Sequence, residues 1–158
     1  MSKNYRPGAT GALMDEYERA VNELKNVLHS IDQNKYTMIS DKETDDPECV
    51  SVMSLMNHVV SAGYGYANYI RKQFDETLTE RKVDYEVTTP QIACDELDKM
   101  MAYTLETLTN KWNISDEEVM KNIIKTRWGQ NYDFEQMLEH AIVHILRHRR
   151  QLEKFTGK

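Results

Sequence analysis

Apolar residues return at every third or fourth position of this chain through four long stretches, and seldom at every second position. That spacing places them along one face of an α-helix rather than along one face of a strand. The first stretch, about 11 to 33, aligns Leu13, Tyr17, Ala20, Leu24, Val27, Leu28 and Ile31. The second, about 48 to 74, follows the turn signal TDDP and aligns Val52, Leu55, Met56, Val59, Ala62, Tyr66, Ile70 and Phe74, with Gly63 and Gly65 as local weak points. The third, about 89 to 112, opens with Thr89 as N-cap and Pro90 at the first helical position, where its missing N–H costs nothing. Ile92, Ala93, Leu97, Met100, Met101, Leu105 and Leu108 form its apolar face. Ser115 and Glu118 have capping-box spacing and predict a short helix over 116 to 124. After the loop KTRWGQNYD, Asp133 caps a last helix over about 134 to 155.

Six Gly and three Pro in 158 residues leave these helices largely uninterrupted, and the expected fold is an all-α four-helix bundle formed by one domain, residues 1–158. The connections between the long helices are each a dozen or more residues. Fourteen extended residues reach roughly 46 Å, beyond the roughly 33 Å of a 22-residue helix. Crossovers running the length of the bundle are therefore allowed, and a simple up-down-up-down order cannot be assumed.

A net charge of -6, with Lys and Arg scattered from end to end, argues against a nucleic-acid partner. No apolar run approaches the roughly 18 residues of a membrane span, and the start MSKNYRPGATGA lacks the apolar core of a signal peptide, so the expected compartment is the cytoplasm. Cys49 and Cys94 stand alone, without metal-ligand or redox spacing, and read as inert thiols.

Three of the five histidines fall at intervals of four in QMLEHAIVHILRHRRQLEKF. At about 100° per residue, with Phe134 at zero, Leu138, Ala141, Ile145 and Leu152 lie within roughly 40° of zero, His148 at about 320°, His144 at about 280° and His140 at about 240°. One metal ion cannot take all three. Residues eight apart are about 12 Å apart along the axis, whereas two ligand atoms on one zinc ion are about 3.4 Å apart. The pair His144 and His148 faces inward at a spacing that suits a single ion. A third ligand must come from another helix. His29 points to solvent, at about 160° from Leu13, while His58 lies on the flank of the second helix's core face at about 240° from Val52. Spacing alone leaves a metal site, a buried polar network and a set of satisfied core histidines as open readings. Tyr64, Tyr66 and Tyr69 read as packing, and most of the nine Met as core filler.

The segments SVMSLMNHVVSAGYGYANYIRKQF, then RWG at 127 to 129, then DFEQMLEHAIVHILRHRRQLEKF resemble the DinB/YfiT-like family in order and spacing over nearly the whole chain. The most specific part is a His on the second helix followed about 85 residues later by H-x-x-x-H and a trailing Gln, here His58, His144, His148 and Gln151. The resemblance implies an up-down-down-up bundle in which His58, His144 and His148 hold a divalent ion, commonly zinc or nickel. It also implies a small-molecule substrate, homodimers among relatives, and activities that include thiol transferases using bacillithiol, mycothiol or glutathione, isomerases using the same thiols, and metal-dependent hydrolases. His140 matches a further family His that is not a ligand. The chain departs from the pattern at Arg150, where a small residue usually precedes the Gln.

The leading expectation is therefore an enzyme, a metal-dependent S-transferase for a low-molecular-weight thiol or a hydrolase. His140, Gln151 and Arg150 form the rim of its site, and no sequence feature singles out a general base. The alternative is a non-catalytic metal-binding or stress-response bundle.

Overall fold

The computed structural model describes residues 4–157; the first three residues of the polar amino-terminal segment and Lys158 lie outside them. The helices are α1 (Gly8–Leu28), α2 (Gln33–Thr37), α3 (Val52–Gln73), α4 (Pro90–Leu108), α5 (Asp116–Lys121) and α6 (Phe134–Thr156). A 3-10 turn at Pro47–Cys49 precedes α3, and two short strands, β1 (Ile124–Lys125) and β2 (Asn131–Tyr132), pair antiparallel before α6. No helix among the described residues is long and apolar enough to cross a membrane.

Helix boundaries follow capping chemistry. Ser51 and Ser54, Ser115 and Glu118, and Asp133 and Gln136 each form a reciprocal capping box that satisfies amide groups the first turn leaves unpaired. Thr89 caps α4, with Pro90 at its start. Gly157, in the left-handed region, ends α6. The second long helix begins at Val52 rather than near 48, because Pro47 to Cys49 wind as a 3-10 turn and Ser51 supplies the cap. The first ends at Leu28 rather than 33, although Ile31 still packs into the core. The loop KTRWGQNYD contains the small hairpin, whose turn passes through Gly129 at φ 86°.

Cross-helix contacts fix the order. His58 and Tyr66 of α3 and its C-cap Phe74 meet His144, His140 and Phe134 of α6, so these two helices run antiparallel. Asn68 and Arg71 of α3 bond to Tyr103 and Thr107 of α4, so these run parallel. Lys25 near the end of α1 pairs with Asp98, while Gly8 at its start lies against Trp112 just past the end of α4. The arrangement is a bundle of four long helices, up-down-down-up. Its interior is one cluster to which all four contribute, including Met14, Leu24, Leu55, Met100 and Leu152, each fully buried. Each such side chain contributes about 1.5–3 kcal/mol on burial, far more than helix propensity does at any position.

Parallel α3 and α4 require a return crossing, and residues 76–88 provide it as a strap laid back along α3. Asn68 exchanges hydrogen bonds with Thr79, Arg81 donates to Ser61, and Asn57 clasps Val83 and Tyr85. The strap finishes where the Tyr36 hydroxyl donates to the Val87 carbonyl at 2.7 Å. Gly63 packs directly against Met100 of α4. A Cβ there would lie 2.5 Å from Met100 Sδ.

Candidate metal centre

His58 on α3 and His144 and His148 on α6 meet at one point. Their available ligand atoms all lie within 4.8 Å of one another. His144 Nε2 is 3.0 Å from His58 Nε2 and 3.1 Å from His148 Nε2. His58, placed by helical azimuth on the flank of its core face, therefore stands beside the pair on α6. His29, the C-cap of α1, is exposed and is not among the clustered histidines.

Two of the rings are oriented from behind. Glu48 Oε2 lies 2.9 Å from His58 Nδ1, and Gln151 Oε1 lies 3.1 Å from His148 Nδ1. Both oxygens only accept, so each Nδ1 carries the proton and each Nε2 presents a lone pair toward the centre. His144 Nε2 has at most one proton to offer two neighbouring lone pairs. At least one pair of lone pairs is left facing at about 3 Å in a half-buried site, an arrangement that a cation at the centre relieves. A proton does not serve this purpose at neutral pH, because burial pushes the imidazole of His144 down to about 2 and that of His148 to about 4. Neutral imidazole is the ligating form. The donor set thus fits a divalent ion.

The triad forms one side of a pocket of about 340 Å³ between α3, α6, the strap and the hairpin. Tyr66 and Tyr69 come from α3, Trp128 from the hairpin turn, Arg81 from the strap, Arg127 from the hairpin and Arg147 from α6. Tyr66 packs edge-on against His144, His140 and Trp128. Burial pushes its hydroxyl up to about 12, so it remains a donor. The Tyr69 hydroxyl accepts from the Arg127 amide at 2.9 Å and anchors the hairpin.

Among the rim residues expected from sequence, His140 lines the pocket but stands off the triad. Its ring stacks on Trp128 and its Nδ1 pairs with the Tyr132 hydroxyl at 3.3 Å. Gln151 orients His148. Arg150 does not line the pocket; it borders an outer groove with Val143, Leu146 and Phe155, one helical step off the metal-facing stripe, and Arg147 lines the pocket instead. Tyr66 and Tyr69, read from sequence as packing, are pocket walls as well. Sequence reasoning missed Glu48 and Arg81, which lie on irregular segments where no periodicity assigns a face. Tyr66 carried a usable signal, since it lies eight residues, a little over two turns, beyond His58. Cys49 borders the pocket, with burial raising its thiol pKa, and Cys94 is buried in the core.

Residues 1–154 match the family model described as the DinB family. No curated protein and no solved structure gives a match to the chain.

Proposed function

From the premise that the chain belongs to the DinB family, we propose that it is a metal-dependent enzyme, a thiol S-transferase ahead of a hydrolase, with zinc or nickel held by His58, His144 and His148. The observation that carries this reading is the convergence of three imidazole Nε2 atoms on one point that faces a pocket large enough for a small molecule. Structural zinc is closed by four protein ligands, whereas three protein ligands beside open space are the pattern of a reactive centre. Bound there, the ion supplies Lewis acidity, which lowers the pKa of a thiol or water placed against it.

The chain's own residues do the rest. Glu48 and Gln151 hold the His58 and His148 rings in the ligating tautomer. Tyr66 and Trp128 give the cavity an aromatic wall that restricts water and packs the apolar part of a substrate. The Tyr66 hydroxyl donates to oxygen in the pocket. In thiol transfer, the thiol proton leaves to solvent or a carboxylate, sulfur forms the bond to the electrophilic carbon, and the leaving group departs with its bonding pair. In hydrolysis, water takes the place of the thiol and the same residues serve.

The test is to incubate metal-loaded protein with bacillithiol, glutathione or cysteine and a generic electrophile, beside the His144→Ala variant. The proposed activity requires metal-dependent product formation that the variant loses. Equal rates for both proteins with every thiol, and no metal-dependent hydrolysis, would leave a non-catalytic metal-binding bundle.

A further inference from the structure

Four of the eight arginines of this protein are tied into ion pairs. Arg6 pairs with Asp15 and Glu18, Arg19 with Glu16 and Glu23, Arg71 with Glu106, and Arg149 with Glu23 and Glu153. Arg81, Arg127 and Arg147 form no ion pair among the described residues, and all three line the metal-facing pocket. They come from three different elements in a chain of net charge -6. Such a chain has carboxylates to spare, yet none is matched to these cations.

Their convergence is topological: all three line the same pocket as Tyr66. Tyr66 is buried, and its hydroxyl has no hydrogen-bond partner among the described residues. Arg81 is also seated. Its Nη2 donates to Ser61 Oγ at 2.8 Å, and its guanidinium rests on the bare backbone of Gly65, where a Cβ would lie 3.3 Å from it. The acidic residues of the pocket, Asp46 and Glu48, are occupied with the 3-10 turn and His58.

We propose that Arg81, Arg127, Arg147 and the Tyr66 hydroxyl form an oxyanion subsite next to the metal face, and that the substrate carries carboxylate or phosphate groups bearing at least two negative charges. This rests on the reading of the pocket as a substrate site. A divalent ion and three arginines outweigh Asp46 and Glu48 by three positive charges, so a neutral or monoanionic ligand would leave the site strongly cationic. Guanidinium groups suit planar or tetrahedral oxyanions through paired N–H donors, and a protonated tyrosine adds one more.

The test is calorimetric titration of the zinc-loaded full chain with succinate, inorganic phosphate, uncharged succinamide and the neutral thiol 2-mercaptoethanol. The expected result is saturable binding of at least one dianion and none of succinamide, with Arg81→Gln, Arg127→Gln and Arg147→Gln each weakening the dianion about tenfold or more. Arg150→Gln, on the outer groove, should change it less than twofold, and 2-mercaptoethanol binding should survive every Arg substitution. Preference for succinate assigns a carboxylate ligand and preference for phosphate a phosphate ester. No dianion binding, or equal binding by the wild type and the triple Arg→Gln variant, would overturn the subsite while leaving the metal reading intact. Failure of zinc or 2-mercaptoethanol to bind, with Arg-dependent dianion binding retained, would instead count against the proposed function alone.

Discussion

Glu48 lies ten residues before His58 and accepts the hydrogen bond from its Nδ1 at 2.9 Å, so the turn that leads into α3 also orients a residue on that helix. The carboxylate fixes the ring tautomer and makes the opposite nitrogen a better donor to a cation. Glu48→Ala should therefore weaken metal binding by about 10- to 100-fold, a typical cost for losing such a partner. Competition against a chromophoric chelator measures it. An unchanged affinity would show that the exposed carboxylate contributes nothing to the site.

The three ligand assignments are separable from the two remaining histidines. Alanine at His58, His144 or His148 should abolish bound metal in protein purified and analysed by elemental mass spectrometry. His29→Ala and His140→Ala should retain up to one ion per chain. Undiminished metal in His148→Ala would sink the assignment, since that ring is the most buried of the three.

Acid should act on the metal-free protein through His144 and His148. Both are held below the ordinary histidine range by burial, to about 2 and about 4. The unfolded chain takes up protons near pH 6.5 and the folded one does not, so stability is unaffected above that value and falls as pH drops below it. The fall continues to about 4 for His148 and lower for His144, with a slope of at most about 1.4 kcal/mol per pH unit for each ring. Thermal melts between pH 7.5 and 4.5 measure the slope, and the double variant His144→Gln/His148→Gln should flatten it. A wild-type melting temperature independent of pH across that range would contradict the burial of these rings as neutral groups.

The α3 and α4 contact offers a test of packing. Gly63→Val places a branched side chain where Met100 already sits, 2.5 Å from the first carbon added. Overpacking of this kind costs about 1–3 kcal/mol, read as a lower urea midpoint at unchanged slope. Met100→Ala vacates the same volume, so the double variant should lose less than the two single losses combined. Strict additivity would mean that the two residues do not compete for space.

The regular parts of this protein were legible because their signals are periodic. Four apolar stripes, the caps at Thr89, Ser115 and Asp133, and the inward azimuths of His58, His144 and His148 all depend on a repeat of 3.6 residues. The strap and the hairpin have no such repeat, so periodicity places neither Arg81 nor the RWG segment at 127 to 129 in the pocket. Arg150 shows the limit within a helix. Arg147 and Arg150, three residues apart, differ by only about 60° around the helix, enough to bring Arg147 into the pocket while Arg150 borders only the outer groove. Tyr66 and Tyr69 read as packing in sequence because a pocket wall and a core wall present the same apolar periodicity.

His58 and His144 are 86 residues apart in sequence, so an ion shared between them closes a loop of more than half the chain. Metal binding to the folded state adds its free energy to folding, and here it would do so by fastening α3 to α6 across both the strap and the hairpin. Loaded with an ion, the centre would act as a cross-link whose lock is a coordination bond. Unlike a disulfide, it is indifferent to reducing conditions, but it opens to a chelator or to acid. The rigidity of the bundle would then become a function of metal supply.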